Sequence, residues 1–359
     1  MTKRTLASFR RLGAAIGTTA LALGVAGMPA HAAQPLPRLG ADRDTVTVSG
    51  LSSGAYMAVQ FQIAYSHLVR GAGVIAGGPY DCARGSVSRA LKNCMAAPPD
   101  APPPTVAEQQ ARVAEAARAG DIDDPANLAA HRAWLFSGAN DETVVPPVVD
   151  ALAAFYATKL APGALRHVKH PEAGHAMVSA VDPQANACPT SISPYVNRCP
   201  GTDAPGALLA HLLGPLQPAA AAPEGELIAF DQRPFFGGRP IDASMDNEGY
   251  AYIPSACRGG GCRVHVAFHG CRQGASAIGR RFVEGAGYNA WADANRLVVL
   301  YPQVTARFGV ALGSWRWVLN PKGCWDWWGY TGGDYAARGG VQMRGIKAMV
   351  DRLLEPPVN

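Results

Sequence analysis

The residues best suited to chemistry in this chain lie at Gly50-Leu51-Ser52-Ser53-Gly54, a G-x-S-x-G pentapeptide. It follows the β-prone run Thr45-Val46-Thr47-Val48 and precedes the helix-prone run Ala55-Tyr56-Met57-Ala58-Val59-Gln60-Phe61. A strand, a sharp glycine-rich turn and a helix, in that order, make a nucleophile elbow. Glycine at both ends permits a turn that side chains would block, and Ser52 Oγ is left projecting from the bend. The backbone N–H groups that open the helix can then stabilise negative charge beside the serine. The competing reading is an ordinary strand–turn–helix that happens to carry a serine. The flanks favour the nucleophile.

A serine needs a base to take its proton and an acid to orient that base. In α/β-hydrolase sheets the acid and then the histidine follow the nucleophile, each on a loop after a strand. Asp141 fits the acid, directly after the strand-like Ala133-Trp134-Leu135-Phe136 and ahead of Val144-Val145-Pro146. Glu142 is its neighbouring rival, and a plain turn or helix-capping aspartate is the alternative role for Asp141. His175 fits the base, in the loop Pro171-Glu172-Ala173-Gly174-His175 after the strand-like residues 167–170, with Gly174 giving its ring room. His167 and His170 compete with it. His67, His131 and His211 fall at helical or pre-strand positions and read as structural or exposed.

The fourth component is an oxyanion hole. One donor is the backbone N–H after the nucleophile, that of Ser53; the second normally follows a strand carrying His-Gly upstream of the elbow. The chain leaves no room for such a strand upstream. The same form occurs far downstream, at Val266-Ala267-Phe268-His269-Gly270-Cys271-Arg272-Gln273. Two strand-like runs precede it, at 227–230 and 249–253, and a helix over 277–296 and a strand over 298–301 follow. Circular permutation is the economical explanation: the chain begins at the elbow strand and builds afterwards the strands that normally come first. A Pro/Ala-rich connector at about 214–224 joins the two parts, neither of which looks complete alone, so residues 33–359 read as a single domain.

Between these landmarks strand-like and helical runs alternate, which predicts a mostly parallel sheet flanked by helices. Further helices are expected over 106–119, 148–159, 204–213 and 341–354, and a short strand over 73–77. The N-terminal residues are read as export rather than fold. Lys3, Arg4, Arg10 and Arg11 precede an apolar stretch over 12–27, and Ala30-His31-Ala32 is a cleavage signal. The stretch is short for a membrane anchor, so no stable membrane insertion is expected. Those four residues are all the basic groups of the segment, which has no acidic one. Of 32 Lys+Arg in a +5 chain, 28 are then left against 27 Asp+Glu, a balance near +1 that offers nothing to nucleic acid.

Eight cysteines follow the export segment. An even number in an exported protein argues for four disulfides. Connectivity is not fixed by sequence, but the positions favour Cys82–Cys94, Cys188–Cys199 and Cys257–Cys262 as short loops and leave Cys271–Cys324 as a long-range staple. Cys257-Arg258-Gly259-Gly260-Gly261-Cys262 has no second Cys/His pair with zinc spacing, and no metal site is expected. The staple would hold the oxyanion loop against Cys324-Trp325-Asp326-Trp327-Trp328, the densest aromatic cluster in the chain. Turn residues on both sides place these tryptophans on a loop, where Trp325, Trp327 and Trp328 could wall an apolar substrate site rather than fill core.

Taken together, Gly50-Leu51-Ser52-Ser53-Gly54, the Gly-x-x-Asp-x-Thr-Val around Asp141, Gly174-His175, His269-Gly270-Cys271 and Cys324-Trp325-Asp326-Trp327-Trp328 resemble the circularly permuted catalytic domain of poly(3-hydroxybutyrate) depolymerases. The resemblance covers nearly all of the chain after residue 32. It implies a triad of Ser52, Asp141 and His175, oxyanion amides at Ser53 and Cys271, and a tryptophan loop bordering a polyester crevice. It implies no cofactor. Many secreted members carry a linker and a polymer-binding domain after the catalytic one, and neither is expected between the last helix and Asn359. The expected protein is therefore a secreted or periplasmic monomeric serine esterase, acting on the polyester or its oligoesters. A carbohydrate esterase of the feruloyl or acetyl-xylan kind, using the same triad, is the alternative enzyme. A non-catalytic surface-binding protein is the alternative of another class.

Overall fold

The computed structural model describes residues 33–312 and 314–357, together with Met1. The expected export signal falls, Met1 aside, outside the described residues. In chain order the elements are β1 (Thr47–Leu51), α1 (Ser53–Ala64), β2 (Gly71–Ile75), α2 (Val87–Leu91), α3 (Val106–Arg118), β3 (Arg132–Gly138), α4 (Pro146–Ala157) and β4 (Leu165–His170). Then come β5 (Met177–Val178), β6 (Asn186–Ala187), β7 (Val196–Arg198), α5 (Ala204–Leu213), β8 (Glu226–Asp231), β9 (Glu248–Ile253) and β10 (Arg263–Phe268). The chain closes with α6 (Ala275–Ile278), α7 (Arg281–Gly285), α8 (Tyr288–Ala294), β11 (Leu297–Tyr301), β12 (Arg307–Ala311), β13 (Ser314–Asn320) and α9 (Val341–Leu354).

Eight strands form the central sheet in the order β4-β3-β2-β1-β10-β11-β9-β8. Every pair from β4 to β11 is parallel, whereas β9 runs antiparallel to β11 and β8 antiparallel to β9. The sheet is thus mixed, with a parallel heart. Strands β1, β2 and β11 are buried along their whole length, as parallel strands covered on both faces must be. Helix α1 is likewise buried throughout, so the elbow rests on a helix with no solvent face. Surface helices follow their local rules. Thr105 and Glu108 form a capping box on α3, and α9 buries Met343, Ile346, Met349, Val350 and Leu353 along one stripe.

The first strand is central rather than peripheral. β1 pairs with β2 on one side and with β10, more than two hundred residues away in sequence, on the other. The segment leading into β1 lies against the end of the last helix, where Leu39 and Ala41 N–H donate to the Leu353 carbonyl at 3.3 and 3.1 Å. The Pro/Ala connector packs on α8: Gln217 N–H reaches Asn295 Oδ1 at 2.8 Å and Ala220 N–H the Ala290 carbonyl at 2.9 Å.

Two features depart from the sequence expectation. The single helix over 277–296 is instead three short helices, interrupted where Gly279 and Gly287 take φ of +62° and +100°. Glycine alone visits that region freely, and each such residue ends a helix. The sequence reading also missed the three-stranded sheet β5-β7-β6 and the β12–β13 hairpin. The strands of the small sheet are only two or three residues long, too short for a period-2 pattern to register. The eight cysteines pair as Cys82–Cys94, Cys188–Cys199, Cys257–Cys262 and Cys271–Cys324.

Candidate active site

Ser52 sits between β1 and α1 with φ +56° and ψ −122°, a backbone conformation that side chains other than glycine rarely adopt. Close approaches on both sides explain the flanking glycines. A Cβ on Gly50 would lie 2.3 Å from the Gly54 carbonyl, and one on Gly54 would lie 2.4 Å from the carbonyl oxygens of Phe268 and His269. The elbow is therefore pressed against the end of β10. Beneath it the buried His265 ring spans Thr47 Oγ1 at 2.8 Å and Ser49 Oγ at 2.7 Å, tying β10 to β1. Burial holds that ring neutral by pushing its pKa down to about 3.

Parallel pairing places the carboxyl ends of β1, β3, β4 and β10 on one edge, so the loops after them converge. Asp141 follows β3 and His175 follows β4. The Asp141 Oδ2 atom lies 2.7 Å from His175 Nδ1. Its Oδ1 accepts the N–H groups of Thr143 and Val144, each at 2.9 Å. Asp141 thus holds its own turn with one oxygen and contacts an imidazole with the other. A carboxylate only accepts, so Nδ1 carries the imidazole proton and Nε2 keeps its lone pair. The rivals point elsewhere. Glu142 is exposed, His167 contacts Ser137 Oγ at 3.2 Å, and His170 Nδ1 accepts the N–H groups of Glu172 and Ala173.

Ser52 and His175 line one cavity of about 420 Å³, a volume suited to a small organic ligand. The histidine is fixed from behind, its backbone N–H donating to Ser191 Oγ at 2.8 Å. Gly174 has a different reason from the one its position suggested: a Cβ there would meet the Pro189 and Thr190 carbonyl oxygens at 2.5 Å. The glycine lets the Cys188–Cys199 loop close over the histidine.

The N–H groups of Ser53 and Cys271 have no hydrogen-bond partner among the described residues. Ser53 opens α1, where N–H groups lack an intrahelical acceptor. Cys271 owes its free amide to its neighbours. His269 Nε2 accepts the Val304 N–H at 3.1 Å, which leaves Nδ1–H to donate to the Gly270 carbonyl at 2.7 Å. A trans peptide then turns the Cys271 N–H away from His269. Burial lowers the His269 pKa to about 4 and keeps that arrangement neutral. The buried Gln273 completes the frame. Its Oε1 accepts the Gly270 N–H at 2.7 Å, and its Nε2 donates to the Pro194 and Tyr195 carbonyls at 3.0 and 2.9 Å. One carboxamide thereby joins the loop after β10 to the segment that covers the histidine.

The tryptophans divide. Trp327 and Trp328 line the cavity, with Trp327 stacked on Tyr56 at 4.2 Å. Trp325 is absent from the lining and lies fully buried behind it, its indole N–H donating to the His269 carbonyl at 3.0 Å. Asp326 folds the loop by accepting from the backbone of Trp328, Gly329, Tyr330 and Thr331. Tyr56, Ser191, Tyr195 and Gln273 escaped the sequence reading. Gln273 stood within the His-Gly-Cys run and was the one with a usable signal. Beside the mouth, the β12–β13 hairpin presents Phe308, Val310, Leu312, Trp315 and Trp317 to solvent, and Leu319 to Lys322 at its end line the cavity. Within the hairpin the Phe308 and Trp317 rings meet edge to face, their centroids 6.0 Å apart.

No family model matches the chain. It is 41% identical to a poly(3-hydroxybutyrate) depolymerase of Delftia acidovorans, over 96% of this chain and 67% of that protein. It is 36% identical to a polyhydroxybutyrate depolymerase of Talaromyces funiculosus, over 93% of this chain and 96% of that one. Among solved structures, it matches a PHB depolymerase serine-to-alanine variant complexed with an R3HB trimer, with a TM-score of 0.80 and 34% identity. The PHB depolymerase of Penicillium funiculosum matches with a TM-score of 0.78 and 34% identity. Each alignment covers 89% of this chain and 99% of the solved one.

Proposed function

The chain belongs to the poly(3-hydroxybutyrate) depolymerase family, and from that premise we propose that it is a serine esterase cleaving 3-hydroxybutyrate ester bonds in the polymer and its oligomers. His175 Nε2 takes the proton of Ser52 Oγ as that oxygen attacks the ester carbonyl. The Ser53 and Cys271 amides hold the oxyanion, and Asp141 stabilises the imidazolium that forms. His175 then returns the proton to the departing alcohol oxygen, leaving an acyl group on Ser52. Water, deprotonated by His175, hydrolyses that acyl-enzyme and restores the serine. The observation that carries this reading is the 2.7 Å contact of His175 with Asp141 at a cavity that also holds Ser52.

Trp327, Trp328 and Tyr56 form an apolar wall for the methyl-bearing chain, and the β12–β13 hairpin supports contact with a solid polymer. The strand order supports a circular permutation, with β1 as the elbow strand beside the late-built β10. Residues 33–359 then form one monomeric catalytic domain, exported by a cleaved signal over 1–32. Four cystine pairs fit an oxidising compartment outside the cytoplasm. The test compares wild type with Ser52→Ala on turbid amorphous poly(3-hydroxybutyrate); wild type clears it and the variant does not.

A further inference from the structure

The cavity is uneven in charge. Of the residues that line it, only His175, Arg272 and Lys322 carry basic side chains, and none is acidic. Arg272 and Lys322 are exposed at the rim, and among the described residues neither has an ion-pair or side-chain hydrogen-bond partner. Their backbones are locked together. The Arg272 N–H donates to the Lys322 carbonyl at 2.7 Å, and the adjoining Cys271–Cys324 disulfide ties the two loops. Arg272 also directly follows Cys271, whose amide faces the reacting carbonyl in the reading above. Two cations with no ion-pair partner among the described residues are thus carried on adjoining backbone at the mouth of a cleft with no acidic side chain.

We propose that Arg272 and Lys322 form a subsite for the free carboxylate of a 3-hydroxyalkanoate oligoester, which makes short acidic chains preferred substrates. This rests on the esterase reading of Ser52. In such a chain the alcohol side of every ester leads toward the carboxylate end. With the scissile carbonyl on the Ser53 and Cys271 amides, the fragment that leaves first bears that carboxylate. It departs as a hydroxy acid carrying the proton delivered by His175, while the acyl half stays on Ser52 until water releases it as a second acid. A guanidinium and an ammonium one or a few repeats from the serine pair with the carboxylate and set the register of cleavage. The contact is solvated and screened by salt, so it acts on affinity more than on chemistry.

The test uses the (R)-3-hydroxybutyrate trimer as free acid and as methyl ester, with the full mature chain. For wild type at low ionic strength the free acid exceeds the methyl ester in kcat/KM by about fivefold, mostly through KM, and ~0.5 M salt removes the difference. In Arg272→Gln/Lys322→Gln the ratio falls to about one, and the double charge reversal Arg272→Glu/Lys322→Glu tips it toward the methyl ester. Both sites are exposed, and thermal melting checks that each variant is folded. An equal ratio in wild type, or a ratio that survives the double substitution, overturns the subsite. A wild type that cleaves neither trimer, yet is labelled at Ser52 by a phosphonate, overturns the polyester reading and the subsite together.

Discussion

Replacing Gln273 by leucine, which keeps the volume and removes both polar atoms, isolates the frame around the proposed oxyanion amide. The bonds lost are those to the Gly270 N–H at 2.7 Å and to the Pro194 and Tyr195 carbonyls at 3.0 and 2.9 Å. The Tyr195 carbonyl still accepts the Met177 N–H at 2.9 Å, so one buried group is orphaned, the Gly270 N–H, together with the half-buried Pro194 carbonyl, which water can reach in part. At about 1–3 kcal/mol for the buried amide and less for the half-buried carbonyl, stability falls by about 1–3 kcal/mol. The effect on turnover follows a separate route. Loss of a whole oxyanion donor costs about 10²–10³ in kcat, and a donor displaced but not removed costs less, about 10–100-fold. KM changes little, because the amide acts on the developing oxyanion. The assay pairs p-nitrophenyl butyrate kinetics with denaturant unfolding. A variant destabilised by the expected amount whose kcat stays within about twofold of wild type refutes the idea that Gln273 sets the Cys271 amide.

Breaking the long staple with Cys271→Ala/Cys324→Ala opens a loop of sequence separation 53 and costs about 4 kcal/mol on the chain-entropy account, read as a fall in denaturation midpoint; an unchanged midpoint contradicts it. Trp315→Ser/Trp317→Ser alters side chains that are 98% and 58% exposed. Binding to polymer granules in a sedimentation assay therefore drops severalfold while melting temperature and soluble-ester turnover hold, and unchanged binding removes the hairpin from the substrate account. Acid destabilises the fold through buried histidines. Burial lowers His131 and His269 to about 4 and His265 to about 3, against 6.5 unfolded. Their contribution is complete above pH 6.5 and is lost as pH falls toward 4, because the unfolded chain takes up protons that the folded chain refuses. The loss is about 1.4 kcal/mol per histidine per pH unit, so a melting temperature that is flat between pH 6.5 and 4.5 counts against it.

The sequence revealed local chemistry better than long-range placement. The elbow was legible because its strand, glycines and helix are contiguous, and the turn's demand for glycine at 50 and 54 is written in the chain itself. The loops carrying Asp141 and His175 were legible because each follows a recognisable strand, and the fold brings the two side chains to 2.7 Å. The break-up of the 277–296 helix was harder to foresee. Gly279 and Gly287 are tolerated inside many helical patterns, and only tertiary packing decides that they end one here. The same limit applies to the tryptophan loop. Composition cannot tell Trp325, locked behind the His269 carbonyl, from Trp327 and Trp328 at the cavity, because the difference is a turn held by the buried Asp326. Tyr195 and Ser191 reach the site by folding of a disulfide loop with no periodic signal.

The most direct measurement of the central claim is the clearing of amorphous poly(3-hydroxybutyrate) by purified wild type beside Ser52→Ala, matched in melting temperature. Wild type clears the suspension and releases soluble hydroxy acids, while Ser52→Ala leaves the turbidity unchanged. Clearing by Ser52→Ala at the wild-type rate, or none by wild type, contradicts it.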